Sequence, residues 1–133
     1  MNNYKKLAIP DVYPKIESYK QISLIKNFIF WVENITSGQS SRSAIFVRPF
    51  FQKKLGAQNL IGNSFYLKSN FHGYGGKSYK CFLHNNKFFL IWIDQITNSL
   101  WYKILEISNN YEKNNYLIDI TNSKQLTKPI NCN

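Results

Sequence analysis

The chain has 133 residues, of which 44% are hydrophobic and 17% aromatic, so it can bury a core as one domain and is not disordered as a whole. Its net charge is +10, but the basic residues are scattered, and only Arg42 and Arg48 are arginine, the type best suited to phosphate contacts. The charge therefore predicts a solvated basic surface. No run of about 18 apolar residues and no apolar signal segment are present, so we expect a cytoplasmic protein without a membrane partner.

The amino-terminal residues 1–18 predict an irregular leader. They are mostly polar, and Pro10 and Pro14 each lack the backbone donor that a helix or a central strand needs. From residue 19 onward apolar and polar side chains alternate, which is typical of a β-strand. Ile22 and Leu24 fall on the same side of this first predicted strand.

Two groups of strands follow along the chain. After a tight turn at 26–27, the pattern predicts a strand over 28–32, a loop over 37–43 and a strand over 44–47 that ends at Pro49. Beyond a less regular stretch, further strands are predicted over 65–67, 78–84, 87–94, 99–107 and 116–120. No segment has sustained helical periodicity, so little helix is expected.

The two groups of strands are related by a sequence repeat. FIFWVENITS at 28–37 reappears 61 residues later as FLIWIDQITN at 89–98. The aligned pairs include Phe28 with Phe89, Trp31 with Trp92, Val32 with Ile93 and Glu33 with Asp94. A repeated supersecondary unit rarely buries its apolar face alone. We therefore predict an all-β fold of about two antiparallel four-stranded meander blades of an incomplete β-propeller, with Trp31 and Trp92 in the blade core.

The repeat also divides the chain. The predicted parts are an irregular leader at 1–18, a first propeller-like blade with its connecting loop at 19–70, a glycine-rich loop and second propeller-like blade at 71–128, and a tail at 129–133. A propeller closes with roughly four to eight blades. Two blades would leave apolar faces and strand edges exposed, so their number limits what the chain can do by itself.

The glycine-rich loop is the most unusual segment and the candidate functional or structural loop. It comprises His72, Gly73, Tyr74, Gly75 and Gly76. Glycine allows positive φ and close approach of the backbone to another group, and such a loop could contact an anion or a substrate. The spacing differs from that of a phosphate-binding loop, however, and no strand-to-helix context follows. A structural tight turn is therefore the favoured interpretation.

Catalytic, cofactor and metal sites are not expected. The only histidines, His72 and His84, do not combine with Cys81 in a zinc-like spacing, and an odd separation places Cys81 and His84 on opposite faces of a strand. Cys81 is instead predicted to be a small buried hydrophobe. The segment GNSFY at 62–66 lacks the second glycine of a serine nucleophile elbow, and the seven acids form no close pair.

Three segments nevertheless resemble a known family. FHGYGGKSY at 71–79 is similar to V-H-E-Y-G-G-G-A-Y in the amino-terminal β-propeller of bacterial enzymes of the prolyl oligopeptidase family. FIFWVE at 28–33 resembles the Y-W-L-E strand of the first blade, and Gln-Leu-Thr at 125–127 resembles the R-Q-L-T that ends a blade. The resemblance covers residues 19–128 in consistent order. Gly73 stands where the family usually has Glu, so any contact made by that carboxylate is absent.

The resemblance implies a propeller that covers a peptidase active site and filters substrates by size, with this chain as a truncated, non-catalytic fragment. No catalytic residue is carried over, because the family's Ser-Asp-His hydrolase domain follows the propeller. A peptide would be a partner only within the full-length enzyme, and a separate chain carrying the remaining blades and the hydrolase domain is the other partner implied. The alternatives are a small basic β-barrel that binds single-stranded nucleic acid and a stand-alone β interaction module.

Overall fold

The computed structural model describes residues 19–51, 56–68, 77–109 and 115–127. These residues form β-strands and no helix, so the prediction of an all-β chain is confirmed for this part of it. No membrane-crossing helix is present within the same ranges. The predicted leader, tail and glycine-rich loop lie outside the described residues, apart from the stretch that begins at Lys77.

The strands form two antiparallel sheets. Sheet 1 has the order β1-β2-β3-β4, and sheet 2 has the order β5-β6-β7-β8, with β9 also paired to β7. The bounds are β1 Tyr19–Ile25, β2 Phe28–Ser37, β3 Ser40–Pro49, β4 Gln58–Asn59, β5 Tyr79–His84, β6 Lys87–Asp94, β7 Ser99–Ile107, β8 Leu117–Asp119 and β9 Lys124–Gln125. Because β8 and β9 pair with different parts of β7, each sheet is a meander with four strand positions.

Tight turns join the first two strands of each sheet. In sheet 1 the turn is Lys26 and Asn27, and Lys26 has a φ of +56°. In sheet 2 it is Asn85 and Asn86, with φ values of +50° and +62°. Asparagine tolerates this left-handed conformation better than most residues, and two-residue turns of this kind match the twist of antiparallel strands. The first turn lies at the predicted positions 26–27, and the second lies between the strands predicted over 78–84 and 87–94.

The prediction of a loop over 37–43 is wrong. Only Gly38 and Gln39 form a turn, and β2 and β3 remain paired up to Ser37 and Ser40. Gly38 has a φ of +62°, which glycine adopts without strain. The polar residues were misleading because this end of the hairpin extends to an exposed tip, where strand side chains can be hydrophilic.

The segment after β3 also differs from the prediction. In place of a strand over 65–67, only Leu67 makes bridges, to Ser43 at the end of sheet 1 and to Asp94 at the end of sheet 2. Leu67 is buried and its N–H donates to the Ser43 carbonyl at 3.3 Å. The segment therefore joins the two sheets at one end of the core. The two-residue strand β4 was not predicted because it is too short to show alternation.

The core lies between the two sheets. On β2 the side chains that face sheet 2 are Phe28, Phe30 and Val32, and all are buried. The ring of Phe88 on β6 meets Phe28 edge-on at a centroid distance of 5.7 Å and Phe30 at 5.4 Å. Aromatic pairs in these geometries stabilise beyond the area that they bury. The sheets are thus held face to face mainly by apolar and aromatic packing.

Hydrogen bonds at both edges show that the sheets stack in the same strand order. At one edge the Gln21 side chain of β1 accepts from the Ser78 N–H at 2.6 Å, just before β5. At the other edge the Gln58 side chain of β4 accepts from the N–H groups of Tyr116 at 2.8 Å and Leu117 at 3.0 Å, where β8 begins. The first strand of sheet 1 therefore lies beside the first strand of sheet 2, and the last beside the last.

The repeat-related residues point in the same direction in both sheets. Phe28 faces sheet 2, whereas its counterpart Phe89 alternates with Phe88 and so faces away from sheet 1. Conversely, Trp92 faces sheet 1, whereas Trp31 lies on the side of β2 opposite the core. A two-fold arrangement would bring equivalent faces together. Here the sheets stack front to back, so each presents the same face forward.

Candidate functional site

The predicted loop residues His72, Gly73, Tyr74, Gly75 and Gly76 lie outside the described residues. The chain is described again from Lys77, whose Nζ donates to Ser23 Oγ at 3.1 Å. Together with Ile25, Tyr79, Lys80 and Cys81, these residues line a cleft of about 480 Å³ at the β1–β5 edge. The carboxyl-terminal end of the glycine-rich segment therefore reaches the junction of the two sheets.

Burial keeps two side chains of this cleft, Tyr79 and Cys81, protonated. The Tyr79 hydroxyl donates to the Gln21 carbonyl at 2.7 Å, and burial raises the pKa of Tyr79 to about 12, although the Ser23 hydrogen bond opposes the shift. Burial likewise raises the pKa of the Cys81 thiol to about 12. Neither group is ionised near neutral pH. The cleft therefore contains neither a thiolate nucleophile nor a phenolate base.

Cys81 and His84 do not act together. Cys81 pairs with Leu90 on the inner face of sheet 2, whereas His84 pairs with Lys87 on the other face, as the odd separation predicts. Within the described residues no group of three His, Cys, Asp or Glu side chains could hold a metal ion. Cys81 is half-buried and packs against the core, close to its predicted role as a small hydrophobe.

A second cleft, of about 380 Å³, lies where Leu67 bridges the ends of the two sheets, and Arg42 is among the residues that line it. Its guanidinium donates to the carbonyl oxygens of Gly62 at 3.3 Å and Phe65 at 3.4 Å, and to the side chain of Asn63. It also lies over the Tyr66 ring, 5.8 Å from the centroid. These contacts fix the connecting segment against β3. Arg42 therefore has a structural role in this end of the fold.

The repeated Trp-X-acid pattern forms two different local structures. The Trp31 indole donates to the Glu33 carboxylate at 3.1 Å, two residues along the same strand. Asp94, the counterpart of Glu33, is buried and accepts from the Tyr66 N–H at 2.9 Å and from both the N–H and hydroxyl of Thr97. Asp94 thus holds the connecting segment and the β6–β7 turn, which makes it an organising residue rather than a catalytic acid.

Lys103 is a buried basic residue that was not among the predicted site residues. It is only 6% exposed, pairs with Leu90 on the inner face of sheet 2, and has its Nζ 3.4 Å from Asp119 Oδ2. Burying an ammonium group is costly unless it is paired. The available signal was its position: Lys103 lies two residues from both Trp101 and Leu105 and so shares their face of the strand, where apolar residues were expected.

The outer face of sheet 2 is an apolar surface that no other described strand covers. It carries half-buried or exposed side chains from four strands: Phe82, Phe89, Ile91, Ile93, Leu100, Tyr102, Ile104 and Ile118. The rings of Phe82 and Phe89 stack at 5.3 Å with an interplanar angle of 5°. A contiguous apolar face of this kind marks an interaction surface more often than free solvent-exposed surface.

Comparison of the chain with protein-family models, with curated proteins and with solved structures found no match. The class of protein that the geometry defines is an all-β chain of two front-to-back antiparallel sheets. The groups brought together in its clefts organise the fold, and the apolar outer faces are its main candidates for binding.

Proposed function

We propose that this chain is a non-catalytic pair of adjacent propeller blades, of the kind that gates substrate access in serine peptidases of the prolyl oligopeptidase family. The observation that carries the proposal is the front-to-back stacking of two repeat-related meanders in the same strand order. Blades of a propeller follow one another in this way around the axis. The similarity of residues 71–79 to the family's glycine-rich stretch supports the peptidase assignment.

The non-catalytic role rests on the chemistry of the described residues. The Tyr79 and Cys81 side chains are protonated at neutral pH, and His84 lies on the opposite face from Cys81. Asp94 is occupied by three hydrogen bonds that close a turn and fix the connecting segment. Such a chain contributes a wall that excludes large substrates, while the reaction takes place in the hydrolase domain of the same assembly.

Two experiments test the proposal. The purified chain should not cleave aminoacyl-arylamide substrates, and turnover that is blocked by a serine-directed inhibitor would contradict a non-catalytic role. In the second experiment, residues 19–127 replace the first two blades of a prolyl oligopeptidase family enzyme. The chimera should cleave short arylamides and still reject long polypeptides. A chimera that folds but degrades long polypeptides would show that these sheets do not serve as gating blades.

One observation favours a second candidate, binding of single-stranded nucleic acid. The stacked rings of Phe82 and Phe89 are partly exposed, and the basic side chains of Lys80 and Lys124 extend from the same face. Aromatic side chains beside cations are what a base-stacking platform requires. Fluorescence titration with an oligonucleotide at two salt concentrations tests this candidate, which demands affinity that falls steeply as salt is added.

A further inference from the structure

The outer face of sheet 2 has the composition of a face that packs against another sheet. Its residues Phe89, Ile91 and Ile93 are the repeat counterparts of Phe28, Phe30 and Val32. Sheet 2 covers those three residues of sheet 1, and none of them is more than 3% exposed. Their counterparts on the outer face remain half-buried, and Phe82 and Ile118 on the same face are 42% and 54% exposed.

The outer face of sheet 1 is also apolar on its β1 side, as a partner for the outer face of sheet 2 must be. Ile29 and Leu90 are repeat counterparts. Because Leu24 pairs with Ile29 and Cys81 pairs with Leu90, Leu24 and Cys81 occupy equivalent positions in the two sheets. Cys81 packs against the core between the sheets, whereas Leu24 is 59% exposed and Ile22 is 51% exposed. Trp31, in the middle of this face, is buried. The exposed apolar part of the face is therefore formed by Ile22 and Leu24 of β1.

The two outer faces therefore match each other as the two inner faces do. In one molecule they lie on opposite sides of the two-sheet stack and cannot meet. We propose that they meet between copies: the outer face of sheet 2 of one molecule packs on the outer face of sheet 1 of the next. The contact repeats the sheet-to-sheet interface that the molecule already contains, so the occupant of each outer face is a second copy of this chain.

Such a contact is heterologous, because two different surfaces join, and repetition produces either a closed ring or an open chain of molecules. If it closes as propellers do, with roughly four to eight sheets, two to four copies are required. The contact between copies follows from the repeat and the described faces and requires no relationship to peptidases. A chain that fails to associate would leave the chimera experiment and its outcome unaffected.

The net charge of the chain predicts how association between copies depends on salt. Each copy carries a net charge of +10, and Lys80 and Lys87 border the outer face of sheet 2, so copies repel one another at low ionic strength. Added salt screens this repulsion and should strengthen an apolar contact. Binding of nucleic acid to the same face would show the opposite trend.

The test is sedimentation velocity of the full chain over a range of concentrations at low and high salt. We expect concentration-dependent association that is stronger at high salt. Leu24→Asp and Phe82→Asp, both at exposed positions, should each raise the dissociation constant at least roughly tenfold. Ile96→Asp, at a 66% exposed position in the β6–β7 turn, is the matched control and should associate like the parent chain.

Mixing the two variants distinguishes the proposed geometry from a symmetric dimer. The Leu24→Asp chain keeps an intact outer face on sheet 2, and the Phe82→Asp chain keeps one on sheet 1. Their mixture should form a one-to-one complex that grows no further, although neither variant associates alone. Circular dichroism verifies that each variant is folded, and Ile118→Asp replaces Phe82→Asp if the latter is not.

Three results would overturn the proposal. The first is a parent chain that remains monomeric at high salt and at all accessible concentrations. The second is a mixture of the two folded variants that does not associate, which indicates a symmetric interface between like faces. The third is oligonucleotide binding by a monomeric parent chain that Phe82→Asp abolishes, which assigns the outer face to nucleic acid.

Discussion

Replacing Phe88 by alanine tests the packing between the sheets. Phe88 is fully buried, and its ring contacts Phe28 and Phe30 at centroid distances of 5.7 and 5.4 Å. Removal of a buried phenylalanine ring costs about 3–5 kcal/mol, because both the transfer free energy and the packing around the cavity are lost. A domain has only about 5–15 kcal/mol of stability, so Phe88→Ala should lose a substantial fraction of it.

Phe89→Ala is the matched control, since Phe89 is the same residue type one position along β6 on the outer, half-buried face. We expect it to lower the free energy of unfolding by about 1 kcal/mol. Urea unfolding followed by tryptophan fluorescence, at a protein concentration low enough to avoid association, measures both losses. Equal losses for the two substitutions would refute the stacking of β6 against β2 through Phe88.

A double-mutant cycle tests the ring contact directly. Phe30→Leu and Phe88→Leu are used because leucine keeps much of the apolar volume and leaves a folded protein. The coupling free energy between the two positions should be about 0.5–1.5 kcal/mol, as for other aromatic pairs. The pair Phe30→Leu and Phe89→Leu should show coupling near zero, because those side chains lie on opposite sides of sheet 2.

Three further predictions concern polar groups at the core. Asp94→Asn should lower the free energy of unfolding by about 1.5–3 kcal/mol in urea titrations, with Glu33→Gln nearly neutral, because Asp94 alone is buried with three donors. Lys103→Met should be neutral or stabilising in thermal unfolding, since an apolar group replaces a buried ammonium and the Asp119 side chain that loses its partner is 48% exposed and stays solvated; a loss of several kcal/mol would contradict this. Once the chain's other cysteine is removed by Cys132→Ser, mass spectrometry at pH 8 should show Cys81 alkylated at least ~100-fold more slowly when folded than in urea, since burial raises the pKa of its thiol.

The pH dependence of stability follows from Tyr79. Its folded pKa of about 12 lies above its ordinary value of 10.0, so the neutral form is favoured by folding. The associated stability is complete below pH 10 and is lost as the pH rises towards 12, because the unfolded chain ionises first. Thermal unfolding between pH 9 and 12 should show a steeper decline for the parent chain than for Tyr79→Phe. Equal slopes would contradict a buried hydroxyl.

Local pattern predicted the strands most reliably where one face is apolar. The strands over 78–84, 87–94 and 99–107 agree with β5, β6 and β7 to within a residue, because alternation with period two is a local property of the sequence. The part of the β2–β3 hairpin over 37–43 was missed because all of its residues are polar or glycine. Its pairing depends on a two-residue turn at Gly38 and Gln39 and on the register set by the apolar part of the hairpin.

The site was less predictable than the strands. The Trp31 and Trp92 repeat identified two equivalent units, but not that Asp94 would organise two loops while Glu33 binds only the neighbouring indole. That difference depends on the connecting segment, whose Tyr66 N–H reaches Asp94 from 28 residues away. Contacts of this length are decided by packing and leave no local trace in the sequence.

The amino-acid sequence by itself determined an all-β chain with two related groups of strands, since alternation and the 61-residue repeat are properties of the one-dimensional pattern. Only the tertiary structure decided which face of each sheet is buried. Alternation distinguishes two faces of a strand but does not say which of them meets the other sheet. Front-to-back stacking, with Phe28 buried between the sheets and Phe89 half-buried on the outer face, arises from the edge hydrogen bonds and ring contacts that join the sheets. The same packing sets the burial of Lys103 and the raised pKa values of Tyr79 and Cys81, because burial depends on neighbours that are distant in sequence.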